Sequence, residues 1–267
     1  MISRTGVLVR GGGEMASAAA RLLFSCGFPV TVLETQAPLA VRRAVSFAEA
    51  VRLGRTDVEG VEGRCVEAEA VPAALREGLF VPVVVDPEAE CRALLAPEVL
   101  VDARMAKRNL GTERWQAPLV IGLGPGFVAG VDVHAVVETQ RGPDLGRVIW
   151  SGPAEADSAM PAPVMGFTEE RVLRAPRSGN FRSACEIGDR VTAGARVGEV
   201  GGAPVTAAIA GVVRGLLADA VFVEEGVKVG DIDPRGLAVS AVQVSEKGRA
   251  VAAGVLEAIL VALKGRF

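Results

Sequence analysis

Tyrosine is absent from this 267-residue chain, histidine occurs once, and aromatic residues make up 4% of it. Tyrosine is thereby excluded as a proton-transfer residue, and only one histidine is available for that role. A Cys–His hydrolase would have to use His134, and nothing near His134 marks it as activated, so its expected role is structural. The four cysteines, Cys26, Cys65, Cys91 and Cys185, lie far apart with no C-x-x-C pair. That spacing argues against a zinc ribbon or an iron–sulfur cluster, and no metal site is expected. No cysteine has neighbours that predict a low pKa, and reduced thiols are expected. No apolar run reaches the ~18–20 residues of a membrane span. The first residues lack the charged region, long apolar core and cleavage site of a signal peptide. The expectation is a cytoplasmic protein without a membrane partner. Net charge is only −3 and the basic residues are not bunched, so nucleic acid is not an expected partner.

Half of the residues are apolar, enough for a sizeable core and too many for a disordered chain. The stretch from Gly6 to Arg10 (GVLVR) reads as a buried parallel strand. Gly11, Gly12 and Gly13 follow at once, then a helix from Ala16 to Phe24 whose early residues are small, with Gly27 as its stop. Pro29 to Glu34 is the next strand, ending in an acid. This layout suits a dinucleotide-type site. Gly11 would allow the tight turn, Gly13 would let backbone N–H groups approach a phosphate, and Ala16 would allow close helix–strand contact. The helix N-terminus favours an anion. Glu34 lies where a ribose-binding carboxylate would sit, while Glu14 would repel a phosphate if it faced one.

Further strands are expected at Cys65 to Ala68, Val81 to Asp86, Val99 to Ala103 and Leu119 to Leu123, with helices at Ser46 to Leu53, Pro72 to Glu77 and Ala89 to Leu95. The alternation predicts an α/β fold with a Rossmann-like parallel sheet over residues 1–150. Three features fall just after strands, where such sheets bind ligands. They are Arg42 and Arg43, a basic patch of Arg104, Lys107 and Arg108 beginning at Asp102, and a second glycine turn containing Gly124 and Gly126.

From about Val172 to Pro234 the chain becomes rich in Val and Gly and contains an approximate repeat. Gly179, Val191, Gly194, Val197 and Gly198 recur 32 residues later as Gly211, Val223, Gly226, Val229 and Gly230. Two such halves, at 165–236, resemble the small β-sandwich, or hammerhead, of biotinyl and lipoyl domains. The hairpin at Gly201, Gly202 and Ala203 carries no lysine, so a swinging-arm carrier is not expected. A C-terminal strand and helix at 237–267 follow. Val251, Val255, Ile259 and Leu263 form one apolar stripe, and packing back onto the first domain is open.

Several long strings resemble the YqeB family of selenium-dependent molybdenum hydroxylase system proteins. They are VRGGGEMA at 9–16, LETQAPLAVRRAVSFAEAV at 33–51, VDARMAKRN at 101–109 and IGLGPGFVAGVDVHAVVETQRGPDLGRVIW at 121–150, with GVVRGLL at 211–217, VKVGDIDPRG at 227–236 and GVLEAIL at 254–260. The resemblance implies an XdhC-related Rossmann domain and a role in maturing molybdenum hydroxylases that need selenium. It brings no catalytic residues with it. This chain has Glu14 where the family more often has aspartate, and DSAMPA at 157–162 where an NTGxPG-like turn is the pattern. Three readings stay open. One is a maturation factor binding the molybdenum cofactor or a related nucleotide-phosphate, with Gly11, Gly12, Gly13, Glu14, Glu34, Arg42, Arg43, Arg104, Lys107, Gly124 and Gly126 as candidate contacts and the hydroxylase machinery as partner. The others are an NAD(P)-dependent oxidoreductase and a docking scaffold without a ligand. Whether the chain is an enzyme, and whether it forms a homo-oligomer, is left open.

Overall fold

The computed structural model describes residues 4–158, 160–236 and 241–265. They fall into two compact units. The first comprises Met1–Gln36, Ser46–Ser158 and Val244–Phe267, and the second Ala37–Val45 and Ala159–Gln243. No helix is long and apolar enough to cross a membrane among the described residues.

The first unit is built on β1 (Val7–Arg10), β2 (Val30–Glu34), β3 (Arg55–Val58), β4 (Val61–Cys65), β5 (Val81–Val85), β6 (Val99–Asp102), β7 (Leu119–Leu123), β9 (Ala135–Val137) and β10 (Val148–Ile149), with β8 (Val128–Ala129) and β11 (Gly152–Pro153) paired separately. The large sheet runs β10-β9-β7-β6-β1-β2-β5-β4-β3. Every pair from β9 to β4 is parallel, and only the edge strands β10 and β3 run antiparallel. Strands β1 and β6 are apolar up to a buried charged last residue, Arg10 and Asp102, and β5 is apolar throughout and buried up to Val85, as in strands covered on both faces. The chain runs from β1 to β2, on to the edge hairpin β3–β4 and back to β5 between β2 and β4, then crosses to the other side of β1 for β6, β7 and β9. The order reverses between β1 and β6, and open α/β sheets place ligands outside the strand carboxyl ends at such a point.

Helix α1 (Glu14–Ser25) leaves the glycine loop, and Ala16, Ser17, Ala18, Ala19 and Ala20 are buried. Small side chains there bring the helix close to the sheet. It ends where Gly27 takes a left-handed φ of 86°. The other crossovers are short: α2 (Glu49–Leu53), α3 (Val71–Glu77) and α4 (Arg92–Leu95). The helix expected from Ala89 begins late because Ala89 itself is left-handed, at φ 59°. There the Asp86 carboxylate accepts the Glu90 and Cys91 N–H groups instead. The strand expected at Cys65 to Ala68 lies earlier, in the β3–β4 hairpin. Glu59 and Gly60 turn it with φ of 49° and 84°, as a tight two-residue hairpin requires.

No long helix follows β6 or β7. Helix α5 (Glu246–Lys264) packs instead on α1, β7, β9 and β10. Val251, Val255 and Ile259 of its stripe are fully buried, and Leu263 nearly so. Ser245 caps it by accepting the Gly248 N–H at 3.1 Å.

The second unit holds β12 (Val172–Arg174), β13 (Gly179–Ser183), β14 (Arg190–Val191), β15 (Arg196–Val200), β16 (Ala203–Thr206), β17 (Gly211–Leu216), β18 (Phe222–Val223) and β19 (Lys228–Asp233). They form two four-stranded antiparallel sheets, β12-β19-β17-β14 and β16-β15-β13-β18. The sequence repeat maps β13 to β17, β14 to β18 and β15 to β19, so each sheet has the order of the other. Each half lends its short strand across: β14 pairs with β17, and β18 with β13. The repeated glycines have matching reasons. A Cβ at Gly198 would stand 2.9 Å from the Phe181 ring, and one at Gly230 2.6 Å from Leu173. Phe181, Val197, Val213, Val229 and Ile232 are fully buried. The first four residues of the strand expected from 237 lie outside the described residues.

Candidate ligand site at the carboxyl ends of the sheet

The glycine loop leaves β1 at the reversal point, and its three glycines differ in kind. Gly11 has φ of 94°, which an L-residue rarely adopts, and its Cβ would lie 3.2 Å from the backbone of Ala103 and Arg104. Gly12 is enclosed, because a Cβ there would stand 2.8 Å from the Ala48 nitrogen. Its carbonyl accepts the Ala48 N–H at 2.9 Å and the Ser17 hydroxyl at 2.8 Å. Gly13 is the N-cap of α1, with ordinary φ of −69° and no side-chain cap. A Cβ there would meet nothing within 4 Å. The space over Gly13 is thus open, beside a helix start whose first N–H groups have no intrahelical partner.

The two acids of this region do structural work. The Glu34 carboxylate accepts the Gly12 N–H and the Thr35 N–H, each at 2.8 Å, so both of its oxygens hold the loop. Glu14 turns to α5 and accepts the Ser245 N–H at 3.0 Å.

The basic patch after β6 is largely neutralised from within. Asp102 is 2% exposed and takes Arg104 side-on, with Nη2 at 2.6 Å, while the Thr112 hydroxyl donates to it at 2.6 Å. Burial acts to raise the Asp102 pKa, but the Arg104 and Thr112 hydrogen bonds prevail and hold it below the usual carboxylate range. Arg10, at the end of β1 and 3% exposed, donates to Thr112 Oγ1 at 3.0 Å and to the Pro87 carbonyl at 2.9 Å. The Lys107 ammonium lies 2.6 Å from Asp157. In the second glycine turn, Gly124 abuts Thr139 and Gly126 abuts the Arg108 backbone, with no room for a Cβ at either. Packing accounts for both glycines.

Arg42 and Arg43 belong to the second unit. Arg42 is buried and donates to the Gln243 carbonyl at 2.9 Å, and Arg43 Nε donates to the Leu216 carbonyl at 2.6 Å. Sequence reasoning missed three groups in the first unit: Arg10, hidden inside an apparent apolar strand; Glu138, 2% exposed; and the half-buried Lys247 on the first turn of α5. The Glu138 carboxylate accepts the N–H groups of Thr139, Gln140 and Glu155 at 2.6–2.7 Å.

Elsewhere, a groove of about 630 Å³ runs past Thr112, Arg114, Trp115, Val131 and His134. His134 Nδ1 accepts the Val120 N–H at 2.9 Å, which ties β7 to the residue before β9. Burial, then the Arg114 guanidinium, lower the His134 pKa. Burial pushes the Cys91 thiol up to about 12, aided by Asp86, and the Cys185 thiol up to about 11, aided by Asp189. Cys65 is raised too, by burial and Glu67. None of these three is a thiolate near neutral pH.

No protein-family model matches the chain. Among solved structures, the tRNA N6-threonylcarbamoyladenosine dehydratase TcdA of E. coli, in complex with AMP, is 17% identical, with a TM-score of 0.27 over 46% of this chain and 52% of that one. An aspartoacylase family protein from Mesorhizobium loti is 12% identical, with a TM-score of 0.28 over 85% of this chain and 84% of that one. Scores this low establish no kinship. Sequence similarity is much stronger to the Escherichia coli K12 protein named "Uncharacterized protein YqeB", 46% identical over 254 residues, or 95% of this chain. The chain spans about half the length of that relative, covering 47% of it. It is therefore a homologue of YqeB, matched along one half of that protein.

Proposed function

We propose that this protein is an accessory factor in maturing a selenium-dependent molybdenum hydroxylase, and that it holds a phosphate-bearing ligand over Gly13. The molybdenum cofactor and a related nucleotide are the ligand candidates. The observation that carries this is the open Gly13 at the uncapped start of α1, beside the strand-order reversal. Gly11 and Gly12 shape the loop, Glu34 fixes it, and Gly13 leaves room for the anion. The strings shared with the YqeB family supply the hydroxylase context. A nicotinamide enzyme is disfavoured because Glu34 already holds backbone with both oxygens and the chain has no tyrosine.

The second unit is read as a hammerhead of the biotinyl and lipoyl type that has become a docking module. Its repeated sheet order and exchanged short strands support this. Its hairpin is a tight turn at Gly201 and Gly202, with φ of 55° and 83° and no lysine to modify.

Calorimetry of the full chain with inorganic pyrophosphate and with nucleoside monophosphates tests the ligand site. The expected result is binding that Gly13→Asp weakens by about tenfold or more, since a carboxylate would fill the anion's place. Equal binding by wild type and Gly13→Asp would remove the reading. Mass spectrometry of the native protein would identify any co-purifying cofactor.

A further inference from the structure

The groove of about 630 Å³ past Trp115 and His134 has the size of a small-molecule site and two facing walls. One wall is the 3₁₀ turn Arg114–Gln116 before β7, and the other is the loop that leads into β9. Arg114 joins them, since its Nη1 donates to the Gly130 carbonyl at 2.9 Å.

The polar groups on these walls are each fixed through one atom and leave another for the groove. Val133 is fully buried and bridged to Ala129, while its neighbours Asp132 and His134 both line the groove. The Asp132 carboxylate accepts the Val128 N–H through Oδ2 at 2.9 Å, and its Oδ1 has no partner among the described residues. His134 Nδ1 accepts the Val120 N–H at 2.9 Å, which puts the proton of the neutral ring on Nε2. No group accepts that Nε2–H among the described residues. The groove thus offers two donors, His134 Nε2–H and the Arg114 guanidinium, and one anionic acceptor, Asp132 Oδ1.

Trp115 stands on the same wall and is 68% exposed. Its ring is nevertheless held in place. The Arg92 guanidinium lies over it, 4.9 Å from the centroid, and the indole N–H donates to Glu113. An indole that is held but not buried serves as a platform for another flat ring.

We propose that this groove binds a fused heteroaromatic lactam, the ring class of guanine and of pterins. The ring stacks on Trp115, its carbonyl accepts from His134 and Arg114, and the adjacent ring N–H donates to Asp132. A carbonyl oxygen has two lone pairs for the two donors, whereas the ring nitrogen at the same edge of adenine has one. None of these residues belongs to the glycine loop, so the inference is independent of the phosphate reading.

The test is equilibrium dialysis of the full chain against compounds without phosphate, so that the glycine loop is not engaged. Guanosine, pterin, adenosine and 1-methylguanosine are compared. Guanosine or pterin should bind saturably, and the tighter of the two identifies the source of the ring. Adenosine should bind about tenfold or more weakly, because it mismatches the two donors. 1-Methylguanosine lacks the ring N–H and should lose a similar factor. Trp115→Ala should weaken binding about tenfold or more through the lost stacking. Asp132→Asn can keep the Val128 bond through its carbonyl oxygen while presenting an NH₂ to the groove. It should lose the preference for guanosine over 1-methylguanosine, which a merely structural role for Asp132 would not affect. The 1-methylguanosine arm makes the same deletion on the ligand and decides the matter if Asp132→Asn does not fold. Equal binding of guanosine, adenosine and 1-methylguanosine would reduce the groove to a stacking surface and overturn the proposal. Failure of both guanosine and pterin to bind would overturn it too, and would leave the glycine-loop reading standing.

Discussion

Gly12 and Gly13 are neighbours in one loop, yet alanine should act very differently at the two positions. At Gly12 the new Cβ would stand 2.8 Å from the Ala48 nitrogen, 3.1 Å from its Cα and 3.2 Å from a Glu34 oxygen. Two of these are backbone atoms and cannot rotate away. Overpacking of this kind costs about 1–3 kcal/mol. The displacement would also strain the Ala48 N–H bond to the Gly12 carbonyl and the Gly12 N–H bond to Glu34, worth about 1 kcal/mol each. Gly12→Ala should therefore destabilise the first unit by about 3–5 kcal/mol if both bonds are lost. At Gly13 the backbone conformation suits any L-residue and the space is empty. Lower entropy of the unfolded chain gains about 0.4–1 kcal/mol, and alanine's poorer capping costs about 0.5–1 kcal/mol in return. Gly13→Ala should lie within about 0.5 kcal/mol of wild type. Both tryptophans, Trp115 and Trp150, lie in the first unit, so urea unfolding followed by tryptophan fluorescence reports on the relevant unit. A neutral Gly12→Ala, or a Gly13→Ala costing more than about 1.5 kcal/mol, would refute the division of the loop into an enclosed and an open glycine.

Three further outcomes are expected. Ile259→Ala removes a fully buried side chain of α5 and should cost about 3 kcal/mol in the same unfolding assay; a cost below about 1 kcal/mol would mean that α5 is not integral to the first unit's core. Asp102→Asn leaves Arg104 and the buried Arg10 without their carboxylate and should cost about 3 kcal/mol at neutral pH. Because the folded state depresses the Asp102 pKa, its contribution is complete above about pH 4 and fades as pH falls through the folded value, so the variant's acid limb should be flatter than wild type's. His134 has a lowered folded pKa, so unfolding takes up a proton below about pH 6.5 and stability drops from there downwards. The difference in unfolding free energy between wild type and His134→Gln should shrink between about pH 7 and 5, and a constant difference would contradict the Nδ1 acceptor role.

The strand–loop–helix–strand opening is legible in the sequence because its cues are local: an apolar run, consecutive glycines, then alanines at the packing face. The repeat is legible because its glycines recur where a Cβ is excluded or φ is positive: Gly179 and Gly211 abut backbone, Gly198 and Gly230 abut side chains, and Gly194 and Gly226 have φ of 83° and 81°. The short α2 and α4 were harder to read, since carboxylate and loop hydrogen bonds, not helical periodicity, set their starts. The β3–β4 hairpin was missed because edge strands alternate polar residues outward and read as loop. At the site, the glycines could be found from spacing, but their separate reasons could not. Gly12 is enclosed by Ala48, 36 positions away along the chain. Arg42 and Arg43 follow a strand of the first unit, yet the segment Ala37–Val45 belongs to the second, a routing no local pattern encodes. Lys247 sits on an amphipathic helix like any solvated lysine, and only the fold brings Glu14, Glu138, Lys107 and Arg141 around it.

The α1–α5 pairing also sets an order of events during synthesis. Residues 1–158 carry the whole large sheet, but the helix that covers α1, β7 and β9 is encoded almost ninety residues further on. While the ribosome makes the second unit, Met15, Ala18 and the outer faces of β7 and β9 await their cover. The nascent sheet therefore presents a sticky apolar flank for the whole of that interval, a natural binding place for a chaperone. The second unit, made in one stretch apart from Ala37–Val45, can close first although it is translated later. Folding of this chain would then finish at the sheet with which translation began, when α5 emerges and docks.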